Sequence, residues 1–187
     1  MEMLLTSMNR YLVCIEPSPR VTDAVRRSQA QLLPLIGKFQ GLNAPVHITL
    51  LLVDMPEDRE PELTGAIAAG LENSSAFQLT LRGITYFRDQ RTIYANPLER
   101  RDVLSLVASI AAEVKKLPAF EGYHQVVANV PHMTIAAGLK PPQFEAAWST
   151  LKDQQIDERF EVRQVTLMSR ALAPSGDYRV VHYYPLR

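Results

Sequence analysis

VHITLLLV, residues 46–53, and PHMTIAAGL, residues 131–139, decide how this chain is read. Each sets a histidine two places before a threonine within an apolar run: His47 with Thr49, and His132 with Thr134. In a β-strand the side chains at i and i+2 share a face. Each run therefore presents an imidazole and a hydroxyl on one side and turns Ile48 or Met133 to the other. The apolar underside belongs in a core, which leaves the polar side free for chemistry. A proline stands just upstream in both copies, Pro45 and Pro131, and predicts a loop handing over to a strand.

Working outward, the flanking sequence repeats in order. A strand is predicted over residues 11–16 and a helix over 21–35, where apolar residues recur at helical spacing and Pro34 marks the end. After the first histidine strand come a helix over 61–71 and two strands over 77–84 and 91–95, joined by the polar turn of Arg88, Asp89 and Gln90. The order then recurs with a helix over 98–117, the strand of His132, a helix over 143–154, and strands over 160–168 and 178–184 linked by APSGD. His47 stands 30 positions before the Phe77 that opens FQLTLRGI, and His132 stands 28 before the Phe160 that opens FEVRQVTL. The two segments close in ANPL and YYPL. The expectation is one domain over residues 1–187, made of pseudo-repeat halves of about 11–97 and 98–187. Pseudo-twofold symmetry would bring both histidine strands to one cleft.

Composition narrows the function. The 187 residues are 47% hydrophobic, ample for a folded interior, and 20 basic residues balance 20 acidic ones. A neutral chain lacks the basic field of a protein that grips long nucleic acid by its phosphates. Any nucleic-acid substrate should be short, terminal or held locally. The single cysteine, Cys14 in YLVCIE, excludes an intramolecular disulfide and reads as a small buried hydrophobe. No apolar run approaches the roughly 18 residues of a membrane span, and the opening MEMLLTSMNR lacks a basic leader and cleavage site. A cytoplasmic protein is expected.

Two histidines and two threonines on one face define a chemistry. Hydrolysing a phosphoester, for example, needs a base to activate water and an acid to protonate the departing oxygen. The ordinary histidine pKa near 6.5 suits both tasks at neutral pH. Threonine hydroxyls can donate to the non-bridging oxygens, where charge gathers in the transition state. The reverse reaction uses the same groups with their roles exchanged, and the near-symmetric repeat leaves open which histidine is acid and which is base. A metal centre is the competing reading. The chain offers no HExxH, no cysteine pair and no acidic residue at ligand spacing beside either motif, Asp54 lying at the far end of its strand. His124 and His182 lack a threonine partner and read as ordinary polar positions, with His182 on the outer face of the last strand.

With these motifs the chain resembles the two-histidine (2H) phosphoesterase superfamily, the LigT-like proteins that include 2′-5′ RNA ligases and cyclic phosphodiesterases. The likeness runs through YLVCIEP, HITL, RTIYANPL, PHMTI and LMSRALAPSGDYRVVHYYPL, nearly the whole chain. It implies an α+β, LigT-like bilobal fold, with two pseudo-symmetric lobes of largely antiparallel sheet around a central groove. It also implies that His47, Thr49, His132 and Thr134 are the catalytic groove residues. RNA ends or cyclic nucleotides are then the substrates, with no cofactor, no metal, no membrane and no obligate protein partner. Val46 departs from the second copy, which has Pro131 there, and touches the approach to the strand rather than the chemistry.

Four further residues stand where groove walls are expected. Phe87, Tyr94 and Tyr178 could stack on a base, and Arg170 could meet a phosphate. Hairpin packing is the competing reading of the aromatics. Arg170 is preferred over Arg88 or Arg91 because it follows a core strand instead of sitting in a turn, while RDQR and LERRD read as solvated charge. The functional expectation is a metal-independent phosphoesterase acting on 2′,3′-cyclic phosphate or 2′-5′ phosphodiester groups. The alternative is a binding module that holds a nucleotide or RNA end in the same groove without turnover.

Overall fold

The computed structural model describes residues 7–117, 122–174 and 176–187. Ser175 of the APSGD turn and the first six residues of MEMLLTSMNR lie outside them. The described residues form nine strands: β1 (Met8–Ile15), β2 (Ile48–Pro56), β3 (Phe77–Phe87), β4 (Thr92–Pro97), β5 (Gln125–Val127), β6 (Met133–Ala136), β7 (Asp157–Val162), β8 (Gln164–Ala171) and β9 (Arg179–Pro185). Four α-helices accompany them: α1 (Pro19–Ile36), α2 (Glu60–Leu71), α3 (Arg100–Val114) and α4 (Pro141–Leu151). No helix among the described residues is long and apolar enough to cross a membrane.

All strand pairs are antiparallel, in the order β7-β3-β4-β6-β2-β1-β8-β9, with β5 beside β2. The sheet is two four-strand ladders joined at its middle by the pair Ile48 and Met133. A strand, helix and histidine strand, β1-α1-β2, recurs as β4-α3-β6, and each histidine strand lies one place from the strand that opens its unit. The helices pack on the face that carries Ile48 and Met133. There α1 and α4 lie against one ladder, with Tyr86 of β3 edge-on to Phe144 and Trp148 of α4. Beneath the other, α2 and α3 approach so closely that a Cβ at Gly70 would meet the Ile110 backbone at 2.8 Å. Val25, Leu32, Leu63, Ile67, Val103 and Ile110 are buried with Tyr11, Val13, Ile48 and Met133 in one core. Each such side chain contributes about 1.5–3 kcal/mol.

Several boundaries differ from the sequence reading. α1 begins at Pro19, in the first turn after the Ser18 cap position, and carries Pro34 inside its last turn. The run read as one strand over 160–168 is two strands in different ladders: β7 pairs with β3 and β8 with β1. The cause is the doublet Arg163 and Gln164, both exposed, which steps the inward residues from Phe160 and Val162 to Val165 and breaks the alternation. β5 was not foreseen, because its three residues are all exposed and too short to show a period.

Candidate active site

At the sheet centre the two motifs meet. Ile48 and Met133 are paired and fully buried on the helix side. One step along the antiparallel register sets His47 opposite Thr134, and Thr49 opposite His132. All four side chains therefore rise from the other face. Burial alternates accordingly, with His47, Thr49, His132 and Thr134 partly exposed between buried Ile48, Leu50, Met133 and Ile135.

Both imidazoles are oriented by their own loops. His47 Nδ1 lies 2.7 Å from the carbonyl oxygen of Pro45, and His132 Nδ1 lies 2.8 Å from that of Val130. A carbonyl only accepts, so in each ring Nδ1 carries a proton and donates it. Nε2 of the neutral ring is left with its lone pair. Both acceptors lie at i−2, so the same short segment that starts the strand fixes the tautomer. The loop before His47 is held in turn by α1. Arg26 donates to the carbonyls of Leu42 and Ala44, and buried Gln29 donates to those of Gly41 and Ile135. Gly41 supplies the φ of +97° that this loop needs and that a side chain would strain.

A cleft of about 890 Å³ opens on this face. His47, Thr49 and Thr134 line it with Arg10, Leu12, Leu52, Arg170 and Tyr178, and with Arg26, Gln40 and Asn43 on the α1 side. His132 sits beside it, edge-on to Phe87 at 4.9 Å and to Tyr94 at 5.5 Å between ring centres. Phe87 and Tyr94 stack on each other at 4.4 Å. Tyr178 packs on Leu12, Cys14 and Met168, and the Arg170 guanidinium carbon lies 5.3 Å from its ring centre.

The eight residues nominated from sequence thus fall in two groups. Arg170 and Tyr178 share the cleft with His47, Thr49 and Thr134, whereas Phe87 and Tyr94 brace His132. Tyr94 is only 5% exposed, so its ring packs against its neighbours instead of offering a free face. Arg170 lies within β8, not after it. Arg10, Leu12, Leu52, Arg26, Gln40 and Asn43 were missed. Arg10 and Leu12 alternate with Cys14 along β1, a signal that becomes usable only once β1 is known to pair with the histidine strand.

The charges near His47 act in both directions. Burial, the leading cause, holds its pKa below the ordinary histidine value, and nearby His132 pushes the same way. The Pro45 carbonyl and the Glu16 carboxylate oppose it. One step beyond the last pair of β1 and β2, Glu16 comes level with His47, and it accepts a 2.7 Å hydrogen bond from the Thr166 hydroxyl. Burial also pushes the Cys14 thiol far up, which keeps it inert. Among the described residues, no group of three or more His, Cys, Asp or Glu side chains stands close enough to hold a metal ion.

Residues 17–173 match the profile of the 2′-5′ RNA ligase superfamily, and the chain belongs to that superfamily, the 2H phosphoesterases. Its fold is similar to that of E. coli LigT with bound 3′-AMP, with a TM-score of 0.72 and 15% identity over 96% of this chain and 98% of LigT. LigT structures also hold NADP+ and ATP. A Thermus thermophilus protein gives 0.71 at 20% identity, over 95% of this chain and 98% of that one. A phosphoesterase gives 0.63 at 16% identity, over 95% and 98%. No curated protein matches the chain by sequence.

Proposed function

We propose that this protein is a metal-independent phosphoesterase that hydrolyses 2′,3′-cyclic phosphate, or makes and breaks 2′-5′ phosphodiesters, on RNA ends or nucleotides. The observation that carries this reading is the paired Nδ1 anchoring of His47 and His132. It leaves two Nε2 atoms, each beside a threonine hydroxyl, on the cleft face of one strand pair. In hydrolysis neutral His47 takes a proton from water as the water oxygen bonds to phosphorus. Protonated His132 gives its Nε2 proton to the ribose oxygen as the P–O bond to it breaks. The lowered pKa of His47 favours its neutral form, the form a base needs. Thr49 and Thr134 donate to the non-bridging oxygens as charge builds. The nucleotides bound by LigT, including 3′-AMP, support a nucleotide as the ligand of a cleft of this fold.

The test is to incubate the protein, in EDTA, with a nucleoside 2′,3′-cyclic phosphate and a 2′-5′-linked dinucleotide. Turnover unaffected by chelation is expected. Tight binding without turnover of either would leave the binding-module reading, and activity restored only by zinc or manganese would refute acid–base catalysis by the histidine pair.

A further inference from the structure

β2 and β6 share one pair, Ile48 with Met133, at the point where the chain joins the ladder. Continued backward without a break, this register would set Ala44 opposite Ala137. Ala137 instead bridges Gln40, four residues earlier, and the two exchange N–H···O bonds in both directions. Residues 41–46 therefore bow away from β6. Gly41, Asn43, Ala44 and Pro45 of this segment make the α1-side wall of the cleft.

A bowed segment loses its ladder partners, and α1 supplies others. The buried Gln29 amide donates to the Ile135 carbonyl of β6 at 2.9 Å and to the Gly41 carbonyl at 3.3 Å. Its own oxygen accepts from Arg26 Nη1 at 2.8 Å, and the same guanidinium donates to the carbonyls of Leu42 and Ala44. One polar chain thus runs from the strand of His132, through Gln29 and Arg26, to the segment that ends in the Pro45 carbonyl, the acceptor for His47 Nδ1. The segment also approaches the other motif directly, since a Cβ at Gly41 would stand 3.6 Å from the Thr134 methyl. The Val130 carbonyl that anchors His132 lies outside this chain of bonds.

We propose that Arg26 and Gln29 are positioning residues for the reaction: by pinning the bowed segment to α1 and β6, they fix the tautomer and the aim of the His47 ring. This rests on His47 acting as a base in the cleft. A base needs its Nε2 lone pair directed at the attacking water, and a ring whose Nδ1 partner wanders supplies neither the tautomer nor the aim. A segment that starts at a glycine has ample freedom to wander once unpinned. Misplacement by about 1 Å, even from a change far from the chemistry, costs about a hundredfold in rate. The pinning depends on a fork. A planar guanidinium meets Leu42, Ala44 and Gln29 together, whereas a lysine ammonium is a single point on a flexible stem. Arg26 also lines the cleft, so direct contact with substrate is the role to be told apart.

Nitrogen NMR of the imidazoles and steady-state kinetics on a nucleoside 2′,3′-cyclic phosphate test this. In the wild type, His47 should show the Nδ1-protonated tautomer with a slowly exchanging proton. Arg26→Lys and Gln29→Met should mix its tautomers and speed that exchange, with the His132 signals unmoved. In both, kcat should fall by about ten- to a hundredfold while KM stays nearly constant. Arg26→Lys should fall nearly as far as Arg26→Met, because the charge without the fork does not pin the segment. An unchanged His47 spectrum in the folded variants, equal disturbance of His132, full activity in Arg26→Lys, or a rise in KM at constant kcat would overturn the assignment, the last by making Arg26 a substrate contact. Where the variants do not fold, proton exchange in the wild type decides: protected Arg26 Nη and His47 Nδ1 protons uphold it, and free exchange of either overturns it. The spectra need no substrate. A protein that turns over no cyclic nucleotide but shows the His47 change loses the catalytic reading and keeps the positioning one. Normal kcat/KM in variants whose His47 tautomers mix defeats the positioning role alone.

Discussion

Around His47 the neighbours are polar or charged, with Thr134 and Glu16 level with it in the flanking strands and the Arg26-held loop before it; around His132 they are Phe87 and Tyr94, packed edge-on. The same register step that sets Glu16 beside His47 sets the neutral Asn96 of β4 level with His132. Yet both rings donate Nδ1–H to a carbonyl at i−2. The repeated backbone thus supplies what the two histidines must share: tautomer, face and a threonine neighbour. Side chains outside the repeat supply what distinguishes them.

The largest effect should come from removing what the halves share. His47→Ala and His132→Ala should each lower turnover of a 2′,3′-cyclic nucleotide by about 10²–10⁴, with the double variant scarcely worse than either, because acid and base act as a unit. Steady-state kinetics on folded variants checks this. Full activity in one of them removes that residue from the mechanism. Thr49→Val and Thr134→Val should cost less, about 10²-fold at most, by deleting one donor each.

Removing the aromatic brace tests what is peculiar to His132. Phe87→Leu keeps an apolar side chain but deletes both the stack on Tyr94 and the edge contact with the imidazole. A ring pair of this kind is worth about 0.5–1.5 kcal/mol. The Nδ1 bond to Val130 remains, so orientation is loosened and not lost. We expect kcat to fall by roughly tenfold or less with KM little changed. A rise in KM at constant kcat would show instead that Phe87 contacts substrate directly.

The sequence made some of this legible and not the rest, for physical reasons. The face of His47 and Thr49 follows from a period of two, and the core underside from Ile48 and Met133 between polar neighbours. Helix positions followed from spacing to within a few residues. Which strand lies beside which did not follow. Pairing of β8 with β1 joins Arg170 to Arg10, 160 positions apart in the chain, and no local pattern encodes that choice. For the same reason Tyr178 and Arg170 could be nominated from nearby motifs, while Leu12, Arg10 and Glu16, placed only by register, could not. The carbonyl acceptors for Nδ1 are backbone atoms, which residue identity does not advertise.

The smallest effect, and the one that most sharpens the comparison, is a displacement along the pH axis. With His47 as base, kcat/KM rises as pH climbs through its pKa and falls when the acid partner loses its proton, giving a bell with an optimum between about pH 5.5 and 7.5. Burial holds the His47 pKa below its ordinary value, and Glu16 partly offsets that by favouring the imidazolium. Glu16→Gln deletes the charge but keeps an oxygen to accept the Thr166 hydroxyl. The His47 pKa should therefore drop further, and the acidic limb should move to lower pH while the plateau stays near its wild-type height. Stability shifts in the matching sense. The unfolded chain binds this proton more readily than the folded one, so His47 costs stability as pH falls through the ordinary histidine range, and more so in the variant. A pH–rate profile and pH-dependent denaturation of the same two proteins measure both. If the basic limb moves instead, His47 is the acid and the roles of the two halves are exchanged; if neither limb moves, the carboxylate beside His47 has no part in separating them.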